Sequence, residues 1–166
     1  MTNNKQLQLA LEIATMAHKN VQRRNGDPYI FHALRVANNS TYIRTKTQKA
    51  AGILHDVIED TPFDEEFLRQ QGIDEAILEI LRFLTHDKET ITYKDYIAHI
   101  CTNVDAMLVK LADLTDNLDQ GTLPVLTERD IERFKVYKTA QQTIMETLAK
   151  EHPGIFQEIL FRERFL

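Results

Sequence analysis

The stretch Ala50-Ala51-Gly52-Ile53-Leu54-His55-Asp56-Val57-Ile58-Glu59-Asp60 decides how this chain folds. At roughly 100° per residue, Ala50, Ala51, Ile53, Leu54, Val57 and Ile58 share one broad apolar face. The spacing predicts a helix over 46–60, stopped by Thr61-Pro62. His55, Asp56, Glu59 and Asp60 take the opposite arc, with Gly52 one turn earlier in the same arc. His55 lies above Glu59, and Asp56 above Asp60, at i, i+4 spacing. A solvated polar face is the plain reading of such a stripe, and two features count against it. Three carboxylates crowd the C-terminal turn, where the helix dipole disfavours each by about 0.3–1 kcal/mol. No Lys or Arg on the arc compensates them. Carboxylates kept in mutual repulsion point to a missing cation, and an adjacent His-Asp pair offers it N and O ligands.

Helical spacing continues on both sides of this stretch. Leu7, Ala10, Leu11, Ala14, Ala17 and Val21 mark an amphipathic helix over 4–21. Turn signals fill Arg23-Arg24-Asn25-Gly26-Asp27-Pro28, and Pro28 opens a second helix over 29–39. Further helices are expected over 64–71 with Gly72 as the stop, 74–86 capped by Asp74, 92–101, and 103–120 closed by Gly121. Thr127, with Asp130 three residues on, caps a long helix over 127–150. His152-Pro153 breaks it, and a last turn or two follows over 155–161. No stretch alternates as a strand. The chain carries only 5 Gly and 4 Pro in 166 residues, about half the usual share, which disfavours a sandwich or barrel. The expectation is all-α, one domain over 1–166.

Composition narrows the function classes. With 43% apolar and 27% charged residues the balance is that of a folded globular domain. A single cysteine, Cys101, excludes an internal disulfide and any Cys-cluster zinc site. The net charge of −5 opposes general affinity for nucleic acid, though not for a small anionic ligand held by a few local cations. No apolar run reaches the roughly 20 residues that span a bilayer, and the polar start lacks the apolar segment of a secretory signal. A soluble cytoplasmic protein, with no nucleic-acid or membrane partner, is therefore expected. Its oligomeric state is left open.

A metal needs ligands beyond His55 and Asp56. His32 follows Pro28-Tyr29-Ile30-Phe31 near the start of the second helix; alone, it reads more readily as a packed histidine. Asp113 interrupts the apolar run Leu108-Val109-Lys110-Leu111-Ala112-Asp113-Leu114, with Lys110 and Asn117 on the same face at i−3 and i+4. By itself the Asp113–Lys110 pair reads as a surface ion pair. Taken together, His32, the adjacent His55-Asp56 and the distant Asp113 resemble the signature of the HD superfamily of metal-dependent phosphohydrolases. More narrowly, the chain resembles the hydrolase domain of the alarmone (ppGpp) synthetase/hydrolases and their stand-alone small relatives. The matching stretches are Arg23 to His32, His55-Asp56-Val57-Ile58-Glu59-Asp60-Thr61, and Val109-Lys110-Leu111-Ala112-Asp113 with Asn117. They run within 7–145, leaving 146–166 as a C-terminal helical extension.

The resemblance implies a single HD-domain bundle of about eight to ten helices and Mn²⁺ bound by His32, His55, Asp56 and Asp113. It implies that Glu59 and Asp60 activate water and relay protons, and that Arg23, Arg24 and Asn117 help hold a nucleotide. The implied reaction hydrolyses the 3′-pyrophosphate ester of ppGpp or pppGpp, giving pyrophosphate and GDP or GTP. The residue types agree: two imidazoles and two carboxylates suit Mn²⁺, Fe²⁺ or Zn²⁺. The third motif departs from the family pattern. Leu114 and Asp119 stand where basic residues are usual, Asp116 where an aromatic or His is common, and Gln120 where Thr is frequent. Two positive charges are lost and two negative ones gained beside the expected pocket. Another nucleotide substrate (ppApp, a nucleoside monophosphate or NADPH) therefore stands as the alternative, and a non-catalytic binding module as a third reading.

Overall fold

The computed structural model describes residues 3–119 and 125–165. Among them the order is α1 (Asn3–Ala17), α2 (Ile30–Ala37), α3 (Lys46–Leu54), α4 (Val57–Asp60) and α5 (Glu65–Gln71). It continues with α6 (Glu75–Leu84), α7 (Tyr93–Ile100), α8 (Val104–Asn117), α9 (Glu128–Glu151) and α10 (Pro153–Phe165). No strand forms among the described residues; one isolated bridge, Gln22 to Pro28, closes the arginine loop. Among the described residues no helix is long and apolar enough to cross a membrane.

α3 is the central rod, packing against α1, α2, α6 and α8. Ala50, Ala51 and Leu54 are fully buried within it. A capping box starts it: the Thr45 hydroxyl accepts from the Gln48 N–H, and the Gln48 side chain accepts from the Thr45 N–H. Gly52 does not lie on an open polar arc. A Cβ built there would stand 3.2 Å from the Ala37 Cα and 3.4 Å from its N, so the missing side chain lets the backbones of α2 and α3 meet.

The helix expected over 46–60 is interrupted at its most polar point. α3 ends at Leu54, Asp56 takes φ −101°, ψ 0°, and the single turn α4 begins at Val57. Glu59 and Asp60 therefore stand in a single-turn helix rather than at the end of a long one, so the dipole penalty assigned to them largely falls away.

Other boundaries shift for local reasons. α1 stops at Ala17, short of Val21, because the chain turns with Asn20 at φ 66°. α8 ends at Asn117; Gln120 and the expected stop Gly121 lie outside the described residues. α10 is longer than the turn or two expected, since Pro153 starts it rather than merely breaking α9. Burial of Ile159 holds α10 down, as do bonds from the Tyr42 hydroxyl to Glu163 (3.0 Å) and from Arg162 to the Ser40 carbonyl (2.6 Å). The Gly72 stop (φ 93°) and the Thr127–Asp130 capping box form as expected.

Candidate metal centre and its cleft

α2, α3 and α8 pack pairwise, and each brings one part of the candidate ligand set to a common point. His32 comes from the first turn of α2, His55-Asp56 from the kink after α3, and Asp113 from α8. Donor atoms of His32, His55 and Asp56 lie within 4.8 Å of one another. Asp113 Oδ1 stands 3.3 Å from His32 Nε2 and 3.4 Å from His55 Nε2. His32, His55 and Asp113 are each less than 5% exposed. The structure thus gathers all four.

The polar bookkeeping of this cluster fits a cation. His55 Nδ1 donates to the Gly52 carbonyl at 2.8 Å, which turns Nε2 inward. That buried Nε2 makes no hydrogen bond, although Asp56 Oδ2 is 2.9 Å away. A lone pair facing carboxylate oxygens is at rest only with positive charge between them. The titration preferences say the same. Burial alone would push the His55 imidazole down, yet the close Asp56 and Asp113 carboxylates lift it well above its ordinary value. Burial would raise Asp56, but the neighbouring His55 and the Tyr29 hydroxyl hold it well below the usual carboxylate range. Two imidazole nitrogens with carboxylate oxygens form a donor set suited to a divalent transition ion.

Each ligand candidate is held from behind. The Tyr29 hydroxyl donates to Asp56 Oδ2. Asp113 receives Lys110 Nζ on Oδ2 (2.8 Å) and Asn117 Nδ2 on Oδ1 (2.6 Å). The Lys110–Asp113 pair is not on the surface: both side chains are largely buried, and Lys110 lies 5.3 Å from the Tyr96 ring centroid. Asn117 also accepts from Arg23 Nη2 at 3.1 Å, so it links the arginine loop to the centre.

A cleft of about 410 Å³ opens over the cluster, lined also by Arg23, Asn117, Glu59, Asp60 and Lys88. Glu59 accepts the His86 N–H (3.1 Å) and pairs with Lys88 Nζ (2.6 Å), which also lies 3.9 Å from Asp60. The cation missing from the helical arc therefore comes from the α6–α7 loop. Asp60 is raised above its ordinary value by burial first and by the Asp56 charge next. Arg24 faces a second cavity of about 300 Å³, which shares Arg23, Tyr29, Asn117 and Tyr137 with the first. Asp130 on α9 holds the Arg24 guanidinium there.

Two of the departures in the third motif change meaning. Leu114 is fully buried in the core, so the charge absent from that position is absent from the interior. Asp116 is neutralised rather than repulsive, bonded to His32 Nδ1 (2.6 Å), Arg23 Nη1 (2.7 Å) and Arg35 Nε (2.5 Å). Burial would raise its carboxyl, but those His32 and Arg35 bonds hold it well below the usual range. Sequence reasoning missed Tyr29, Arg35, Asp116 and Lys88 as parts of the site. Helical spacing was a usable signal for two of them: Tyr29 is three residues before His32, and Asp116 three after Asp113. No local pattern marked Lys88.

No protein-family model matches the chain. Over 116 residues it is 33% identical to a Haemophilus influenzae protein named guanosine-3′,5′-bis(diphosphate) 3′-pyrophosphohydrolase, covering 64% of this chain and 17% of that protein. Over 124 residues it is 32% identical to the Escherichia coli bifunctional (p)ppGpp synthase/hydrolase SpoT, covering 69% and 18%. The chain thus spans under a fifth of the length of these relatives. A solved structure, described as a metazoan orthologue of SpoT that hydrolyses ppGpp, shares the fold with a TM-score of 0.71. That match is 23% identical and covers 97% of this chain and 96% of the other. The chain thus shares the all-helical fold of that structure and gathers His-His-Asp donors that could hold a metal ion. In sequence, about two thirds of the chain is similar to the guanosine polyphosphate hydrolases just named.

Proposed function

We propose that the chain, as one HD-type domain over 1–166, hydrolyses the 3′-pyrophosphate of ppGpp or pppGpp, releasing pyrophosphate and GDP or GTP. The convergence of His32, His55, Asp56 and Asp113 beneath a cleft rimmed by Arg23 carries this reading. The relatives named as pyrophosphohydrolases point to the substrate. We assign Mn²⁺ to the four residues; when bound, it lowers the pKa of water and polarises a phosphoryl oxygen.

The remaining chemistry belongs to the chain's own side chains. Arg23, held by Asp116 and Asn117, presents its guanidinium at the cleft mouth, where a planar fork matches phosphate oxygens. Arg24 extends the basic edge into the second cavity, where the nucleoside end is assigned. Glu59 and Asp60 accept the proton of the attacking water as its oxygen bonds to phosphorus and the bond to the 3′-oxygen breaks. The raised Asp60 suits a group that takes up a proton and returns it to the leaving oxygen.

A Mn²⁺-supplemented panel of ppGpp, ppApp, nucleoside monophosphates and NADPH tests this, with Asp56→Ala as control. Pyrophosphate release from ppGpp, lost in Asp56→Ala, is the expected result. Hydrolysis of another nucleotide with ppGpp untouched would replace the substrate and keep the centre. Activity that survives Asp56→Ala unchanged would sink the metal assignment.

A further inference from the structure

Asp116 lies in the last turn of α8, where the helix dipole disfavours a carboxylate. Three donor groups converge on it. His32 Nδ1 (2.6 Å) and Arg23 Nη1 (2.7 Å) meet Oδ2, while Arg35 places Nε on Oδ1 (2.5 Å) and Nη2 toward Oδ2 (3.2 Å). A carboxylate only accepts, so Nδ1 of His32 carries the ring proton. The remaining lone pair is then on Nε2, the atom that faces Asp113 Oδ1 at 3.3 Å and Asp56 Oδ2 at 3.8 Å. The ring is 2% exposed, so its tautomer is set by these protein partners.

We propose that Asp116 is a positioning residue: it fixes the tautomer and orientation of His32 toward a divalent ion and, through the same oxygen, holds Arg23 at the cleft mouth. The inference rests on the metal reading above. His55 provides the internal contrast, since its Nδ1 is backed by the neutral Gly52 carbonyl. A charged group behind a ligand imidazole sets its direction, so the two histidines are held by different kinds of partner, a carboxylate for His32 and a carbonyl for His55. Joining Arg23 to the same carboxylate makes phosphate grip and ligand orientation depend on one residue.

The test titrates Mn²⁺ into metal-free wild type, Asp116→Asn, Asp116→Glu and His32→Ala, reading free ion by electron paramagnetic resonance. Asp116→Asn is expected to weaken binding by about 10–100-fold, Asp116→Glu by less, and His32→Ala to remove it. Ring-nitrogen NMR of the Zn²⁺-loaded protein supplies a reading that a merely structural role would not move. His32 shows a protonated Nδ1 in wild type and a mixed signal in Asp116→Asn. If Asp116→Asn loses its helical circular-dichroism signal, Asp116→Glu carries both readings. Wild-type affinity and unchanged His32 ring signals in the variants would overturn the proposal. Failure of wild type to bind Mn²⁺ or Zn²⁺ would instead overturn the metal reading on which it rests.

Discussion

The two walls of the cleft are built differently. On the inner wall, His32, His55 and Asp113 are nearly inaccessible and come from three helices locked by the core. On the outer wall, Glu59 is 15%, Asp60 49% and Lys88 65% exposed, and Lys88 comes from a connection between helices. Buried donors keep a fixed spacing because moving any one of them disturbs close-packed neighbours. Asp60, half exposed, is open to exchange protons with solvent, while Glu59 is held by the His86 N–H and Lys88. The difference supports the proposed division, with ligand geometry on the inner wall and proton handling on the outer.

The sharpest way to break that division is to remove one group from each wall. His55→Ala deletes an inner donor and is expected to abolish Mn²⁺ binding and, with it, hydrolysis. Glu59→Gln keeps the shape of the outer wall; it is expected to lower kcat by about 10²–10⁴-fold while Mn²⁺ affinity stays near wild type. Calorimetric Mn²⁺ titration beside steady-state kinetics reads both. If Glu59→Gln loses metal affinity as severely as His55→Ala, the walls are one unit and the division fails.

A smaller perturbation reaches the inner wall without touching a donor. In Gly52→Ala the added methyl meets the Ala37 backbone at 3.2 Å, where no flexible side chain gives way. α2 must shift from α3, carrying His32 away from His55, whose ring centroids are 5.1 Å apart. The expected destabilisation is about 1–3 kcal/mol, with weaker Mn²⁺ binding. Urea unfolding with and without Mn²⁺ checks it. Loss of stability with unchanged metal affinity would show that the α2–α3 contact does not set the ligand spacing.

Gly52 also shows where the sequence ran out. Its place one turn before His55 was legible, as were the all-α class, the Gly72 stop and the Thr127 cap, all from local periodicity and turn residues. The four residues gathered at the centre were legible through the resemblance of their motifs to a known family. That α3 breaks at the His-Asp pair was not legible, because the apolar face continues through the kink without interruption. The acid arc was weighed on a dipole argument that the break largely removes, and on a missing cation that Lys88 partly supplies. Asp116 was read as surplus charge because its donors, Arg23, His32 and Arg35, lie more than 80 positions away. Charge balance across such separations is a property of the packed chain.

The gentlest probe acts on the outer wall through Lys88. Burial and the Asp56 charge raise Asp60, while Lys88 opposes them. A base works deprotonated, so the rate falls as pH drops through its pKa. Lys88→Met removes the opposing charge, raises Asp60 further and moves the acid limb of the kcat/KM profile to higher pH. Lys88 is mostly exposed and its field is screened, so the displacement is expected to stay under about one pH unit. Salt should reproduce part of it in wild type and little in Lys88→Met, because only the wild type has that charge to screen. Stability should change little, since an exposed pair is worth about 0–1 kcal/mol. A profile measured at low and high salt decides the point. A limb that moves to lower pH in Lys88→Met, or stays fixed, would assign the titrating base to a group other than Asp60 and leave Lys88 as a tether for Glu59 alone.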